Sequence, residues 1–167
     1  SRTSVAVVDD GVILWSGLRD SATEHGPALP SLVQEGIKGF AIEAVVVGMG
    51  PGPYTGLRVG IAFAESFALA RGISVRGVCS LDAIAAQVQE ADFIITVDAR
   101  RKEVYWARYL NGVRVGQQEV NFPVDVTGAN IHADLFPDMV SLSNLSGNIT
   151  EPIYLRRPDA VATADRP

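Results

Sequence analysis

Cysteine is almost absent from this chain: Cys79 stands alone among 167 residues. A single thiol can form no internal disulfide and has no CxxC partner for zinc or redox work, so a reducing compartment is expected, the cytoplasm. Histidine is nearly as scarce. The two present, His25 and His132, form no HxxxH or HExxH pair that would set two imidazoles on one helical face. A metalloenzyme is therefore not expected, and no metal ligand or cofactor is assigned. His25 reads as a capping or surface residue, and His132 falls in a stretch without pattern. Long apolar runs are missing too. Those present, such as Ala44 to Val47, are broken by Gly and Pro far short of the roughly 20 residues that span a bilayer. The opening Ser1-Arg2-Thr3-Ser4 carries a basic residue but no apolar core with a cleavage site, so no export signal is read and a soluble protein off the membrane is expected. No Gly-x-Ser-x-Gly elbow presents a serine, which leaves a hydrolase triad without an anchor. Positive charge is in deficit, at a net −5. That balance argues against a protein that grips a phosphate backbone by itself, and any RNA contact is expected to be borrowed from a partner. The local clusters Arg100-Arg101-Lys102 and Arg156-Arg157 read as solvated surface. Asp98, at a strand end, is the best lone carboxylate for chemistry, with a turn or surface charge as its plainer reading. No catalytic residue is assigned.

What is present suits a packed core. The chain is 47% hydrophobic and 20% charged, and its length fits one domain or two small lobes. Val5–Val8 and Val12–Trp15 flank Asp9-Asp10-Gly11 and predict a hairpin. Leu29, Leu32 and Val33 recur at helical spacing within Glu24–Glu35, with Pro27 tolerated in the first turn. Ile42–Val47 predicts a strand buried on both faces, feeding a Gly/Pro-rich loop. A long helix follows from Leu57 to Arg71, stopped by Gly72. Ile73–Val78 predicts another strand, and Ser80 with Asp82 close behind caps a second helix through Val88. This order describes an α/β lobe over residues 1–91. From 92 onward Phe93–Val97, Val104–Leu110 and Val113–Val120 are strand-like, the last two flanking Asn111-Gly112, a type I′ hairpin signal. Residues 92–167 therefore predict a second, β-rich lobe. No element is predicted over 121–152, and only Ile153-Tyr154-Leu155 suggests a further ordered piece.

The most informative segment runs from Gly48 to Gly60, between a strand and a helix N-terminus. Such a place offers unpaired N–H groups and the positive end of a helix dipole. Yet Pro51 and Pro53 remove two donors, no Gly-Lys-Ser/Thr follows, and the glycine spacing is not GxGxxG. An anion site and a tight structural turn both remain open. Placed at 100° steps, the following helix shows Leu57, Gly60, Ile61, Ala64 and Ala68 on one face, with Val59, Phe63, Phe67 and Ala70 adjoining. More than half of its circumference wants burial. Either the helix is buried within its own lobe, or a partner helix covers one side, with Gly60, Ala64 and Ala68 allowing close approach.

Gly50-Pro51-Gly52-Pro53-Tyr54-Thr55-Gly56-Leu57-Arg58-Val59-Gly60 resembles the GPGS(F/Y)TGLR(I/V)G signature of the TsaB/YeaZ family, with Pro53 in place of serine. Val78–Ala83 is similar to that family's GVSSLEAL stretch and Asp98–Tyr105 to its DARRGEVY, Pro152–Arg156 matches near the end, and His25–Val33 resembles the family's first helix, all in the right order. The resemblance implies an actin-like, Hsp70-like and sugar-kinase-like (ASKHA) α/β fold of two lobes, the second reduced. It implies a non-catalytic partner that binds and activates TsaD, the subunit forming N6-threonylcarbamoyladenosine at position 37 of tRNAs reading ANN codons. A TsaE-type ATPase is a further implied partner, with homodimers when the chain is alone and tRNA met only through the complex. The implied interface uses Leu29, Leu32, Val33, Leu57, Gly60, Ile61, Ala64, Phe67 and Ala68, and the signature loop Gly50, Pro51, Gly52, Tyr54, Thr55, Gly56 and Arg58. The family's opening strand, ending in Asp-Thr or Asp-Ser, is not found ahead of Ser1, and the Gly36–Phe40 link is short. The residues given are thus expected to omit pieces of the family chain. An ATP-dependent phosphotransferase of the same fold is the alternative reading, and a glycoprotease-like hydrolase ranks below it.

Overall fold

The computed structural model describes residues 2–20, 25–128 and 130–156. Arg157 of the second basic cluster and the Glu24 helix start lie outside them. Strands β1 (Arg2–Asp9) and β2 (Val12–Asp20) pair antiparallel. Their turn is set by Asp10 and Gly11, both at positive φ (44° and 76°), the two-residue geometry whose twist matches that of the flanking strands. Helix α1 (His25–Gly36) follows and runs through Pro30 as well as Pro27. The Ser31 hydroxyl donates to Pro27 O at 3.0 Å. The short link that the sequence made doubtful closes through a turn: Phe40 N–H donates to Ile37 O, and Gly39 takes φ +83°.

Strand β3 (Ala44–Gly48), helix α2 (Tyr54–Arg71) and strand β4 (Ser74–Val78) form a βαβ unit with β3 and β4 parallel. The helix starts three residues before the expected Leu57, at the residue after Pro53, and ends on Gly72 in the left-handed conformation (φ 65°). Helix α3 (Ser80–Ala85) is shorter than expected, and Cys79 rather than Ser80 stands at its N-cap position, with no side-chain capping bond. Strands β5 (Asp92–Asp98), β6 (Val104–Leu110) and β7 (Val113–Asn121) form an antiparallel meander. The β6–β7 turn again places Asn111 and Gly112 at positive φ. A short 3-10 turn at Pro123–Asp125 and two further elements had no signal in the sequence. Strand β8 (Ile131–His132) joins β5 in parallel, and helix α4 (Met139–Asn144) is capped by Asp138, whose carboxylate accepts the Ser141 N–H at 2.7 Å.

Among the described residues the strands form three sheets: β1-β2, β3-β4 and the four-stranded β7-β6-β5-β8. Among the described residues no ladder joins the hairpin to the parallel pair. Helix α1 packs on β1 and β2, α2 on β3 and β4, and the two helices touch. The main core joins Cys79, Leu81, Ile84 and Ala85 to Phe93, Ile95, Ala107 and Tyr109. It therefore lies between α3 and the four-stranded sheet, across the expected 91/92 boundary. Among the described residues no helix is long and apolar enough to cross a membrane.

Candidate interaction face and signature loop

The signature loop begins where β3 ends. Met49 N–H donates to Val78 O, extending the parallel ladder by one step. Gly50 then turns the chain at φ +97° before a cis bond to Pro51. Its N–H donates to Ser80 Oγ at 3.2 Å, and Ser80 N–H returns a bond to Gly50 O at 2.8 Å. The hydroxyl read as a helix cap thus serves as a clasp on the loop. A side chain at residue 50 would approach Ile153 O to 3.1 Å, and Ile153 N–H donates to Met49 O at 2.8 Å. Pro51 is buried and Gly52 half-buried. These are the bonds of a tight structural turn, held from two sides. Beyond it Tyr54, Thr55 and Arg58 are exposed and Gly56 is half-buried. Arg58 Nη1 donates to Tyr54 Oη at 2.7 Å, and the Tyr54 and Tyr154 rings lie 5.2 Å apart.

The expected interface residues separate into two sets. Ile61, Ala64 and Ala68 are buried inside the chain, Ala64 at 6% exposed, and Leu32 of α1 at 1%. Helix α2 packs on its own β3-β4 sheet, and Leu32 sits against the β2 backbone at Gly17. Leu29, Val33, Leu57, Gly60 and Phe67 are half-buried, as are Val59 and Phe63. The Phe63 and Phe67 rings stack at 6.1 Å, with the Arg71 guanidinium 4.9 Å from the Phe67 centroid. A Cβ built on Gly60 meets nothing within 4 Å. Val59, Gly60, Phe63 and Phe67 thus form an apolar stripe that the chain only partly covers.

One polar cluster was not foreseen. Asp82, read as helix-cap support, turns toward the second sheet, where Tyr109 Oη donates to its Oδ1 at 2.8 Å. Arg114 Nη1 donates to both Asp82 oxygens, at 3.0 and 3.2 Å, and to Cys79 Sγ at 3.3 Å. Burial pushes the Cys79 thiol up from its ordinary value, with the Asp82 charge adding to it, and Tyr109 is raised for the same two reasons. The signal available in the sequence was the pairing of a lone Arg on one strand with an acid beside the cysteine. Asp98 is a turn residue: its Oδ1 accepts the Arg100 N–H at 2.7 Å. His132 Nε2 lies 3.1 Å from Glu90 Oε1, and the side chain of His25 lies outside the described residues. Among the described residues no three His, Cys, Asp or Glu side chains gather as a metal site.

Comparison with known proteins places this geometry. A family profile described as TsaD, tRNA N6-adenosine threonylcarbamoyltransferase, matches residues 19–153. An uncharacterized protein of Mycobacterium tuberculosis is 43% identical over an alignment that covers 90% of this chain and 84% of that one. The tRNA threonylcarbamoyladenosine biosynthesis protein TsaB of Escherichia coli is 32% identical over 69% of this chain and 54% of its own length. A crystal structure of an uncharacterized Pseudomonas aeruginosa protein, described as similar to peptidase YEAZ, superposes with a TM-score of 0.78 at 23% identity. It covers 93% of this chain and 94% of that one. The loop, the βαβ unit around it and these relatives agree, and the chain belongs to the TsaB/YeaZ family.

Proposed function

We propose that this chain acts in threonylcarbamoyladenosine biosynthesis on tRNA as a non-catalytic, cytoplasmic subunit that binds and activates a TsaD-type catalytic subunit. The modified position is adenosine 37 of tRNAs reading ANN codons. Family membership supplies the pathway, and the half-covered stripe Val59, Gly60, Phe63 and Phe67 supplies the reason for a partner. A helix buried on one side by its own sheet and still apolar on the adjoining side gains stability when a second helix covers it, at about 25 cal/mol per Å² removed from water. Leu29 and Val33 of helix α1, which touches α2, are half-buried as well. Homodimers through this stripe form when the partner is absent, and a TsaE-type ATPase joins the assembled pair.

Size-exclusion chromatography with light scattering tests the reading, on the chain alone and mixed with its cognate TsaD-type subunit. A mixed complex is expected. A monomer that stays a monomer in the mixture overturns the assignment. Gly60→Arg sharpens the test. The site has open space for a side chain, and Arg is about 0.8 kcal/mol more favourable than Gly inside a helix. The variant should therefore keep or raise its thermal midpoint while losing association, because a charge must be desolvated against an apolar partner.

A further inference from the structure

The turn joining β5 to β6 has an unusual backbone. Arg100, Arg101 and Lys102 occupy consecutive left-handed conformations, at φ 63°, 57° and 64°, which glycine adopts freely and L-residues with side chains avoid. The turn is nevertheless fixed. Ala99 N–H donates to Glu103 O, and Glu103 N–H to Arg100 O. Three exposed cations are held at its tip. The turn therefore carries a conformational cost that glycine would relieve, and it presents cations in its place.

That tip is continuous with an aromatic and basic surface. Arg156 donates to Ala99 O at 3.1 Å and forms an ion pair with Glu103. Two residues earlier, Tyr154 lies against Tyr54, which Arg58 both hydrogen-bonds and covers, its guanidinium carbon 5.2 Å from the ring centroid. Both tyrosines are exposed, at 42% and 44%. The segment from Ile153, bonded to Met49, to Arg156 spans about 10 Å of extended chain. It carries the surface from the first turn of α2 to the β5–β6 turn. Along this strip cationic side chains outnumber the carboxylates Asp98 and Glu103, in a protein whose net charge is −5. Exposed rings interleaved with fixed cations form the surface that binds unpaired nucleotides, the rings stacking bases and the cations following the phosphates.

We propose that the strip formed by Tyr54, Arg58, Tyr154, Arg156, Arg101 and Lys102 contacts single-stranded RNA. The choice of RNA rests on the reading of this chain as part of a tRNA-modifying assembly. The direct contact goes beyond that reading, which left RNA to the partner. An acidic face of a protein would also be drawn to cations. Two exposed tyrosines held together beside an arginine favour bases instead.

Fluorescence anisotropy of a short, unstructured, end-labelled RNA titrated with the full chain at several salt concentrations tests the inference. The unaltered chain should bind with salt-dependent affinity. Lys102→Gly relieves the backbone and removes a charge. It should raise or hold the thermal midpoint, weaken RNA binding and lower the salt slope by about 1. Tyr154→Ala should weaken binding about tenfold by loss of base stacking. Absence of salt-dependent binding by the unaltered chain, or equal affinity in both variants, overturns the strip. Co-elution of both variants with the TsaD-type subunit is expected to persist, since Gly60 and Phe67 are untouched. Lost co-elution with unchanged RNA affinity would make the strip a protein contact and overturn the inference, while leaving the partner reading standing.

Discussion

At the scale of single residues, the sequence was legible where a residue acts on its own backbone and much less so where it acts across the fold. Gly11, Gly72 and Gly112 sit at the positive φ that their turn and cap contexts required. Ser80 and Asp82, read from the same local rules, act instead on the signature loop and on β6 and β7. The consequence is a pH dependence. Cys79, Tyr105 and Tyr109 are all raised above ordinary values of 9.0 and 10.0, with burial the leading cause. Above pH 9 the unfolded chain releases these protons while the folded chain retains them, so the unfolded state binds fewer protons and stability falls as pH rises. Their contribution is intact below pH 9 and lost progressively above it. Thermal midpoints measured from pH 8 to 11 should show this decline. Cys79→Ala should remove its earliest part, and a flat profile would place these groups in contact with water.

Elements with strong local patterning were found nearly in register: the two hairpins, the βαβ unit, and β6 at Val104–Leu110. Helix α2 began earlier than expected because Tyr54, Thr55 and Gly56 carry no helical pattern of their own, and the turn after Pro53 is fixed by the loop's contacts. Strand β8 and helix α4 are short and depend on distant partners. β8 exists through Ile94 and Ile95, and α4 has its last carbonyls, Ser143 O and Leu145 O, bound by Arg76 of β4. Two helical glycines show how packing decides the sign of a substitution. Replacing Gly by Ala gains about 1 kcal/mol of propensity inside a helix, as at Gly60, and less at a last residue such as Gly36. At Gly60 nothing opposes the gain, and Gly60→Ala should stabilise by about that amount. At Gly36 the added Cβ would lie 2.5 Å from the Trp15 ring, already confined on its other side by Gly17. Overpacking there costs about 1–3 kcal/mol, so Gly36→Ala should be neutral to destabilising. Urea unfolding of the two variants checks both, and equal gains would show that Trp15 has room to move.

On the scale of the whole molecule, burial is unevenly distributed, and the candidate interface lies on the less buried side. The principal core joins α3 to β5 and β6, where Phe93, Ile95 and Ala107 are fully buried. The β1-β2 hairpin has no fully buried residue, and α2 is closed on one face only. The periodicity of α2 revealed its excess of apolar surface but could not say which face its own sheet would take. That choice depends on β3 and β4 approaching the alanines, a contact absent from local spacing. Amide exchange reads this division directly, because opening free energies follow local burial. Amides of β5 and β6 should exchange slowest and those of the hairpin fastest, with α1 and α2 between. Adding the TsaD-type subunit should then slow exchange by local opening in α1 and α2, where Leu29, Val33, Phe63 and Phe67 would be covered. At a ligand concentration 100 times its dissociation constant, binding adds about 2.7 kcal/mol to any opening that must first release the partner. Protection in those helices should thus rise by about a hundredfold. Protection gained in β5 and β6 instead, with α2 unaltered, would move the interface to the other sheet and disconnect the apolar stripe from the assembly.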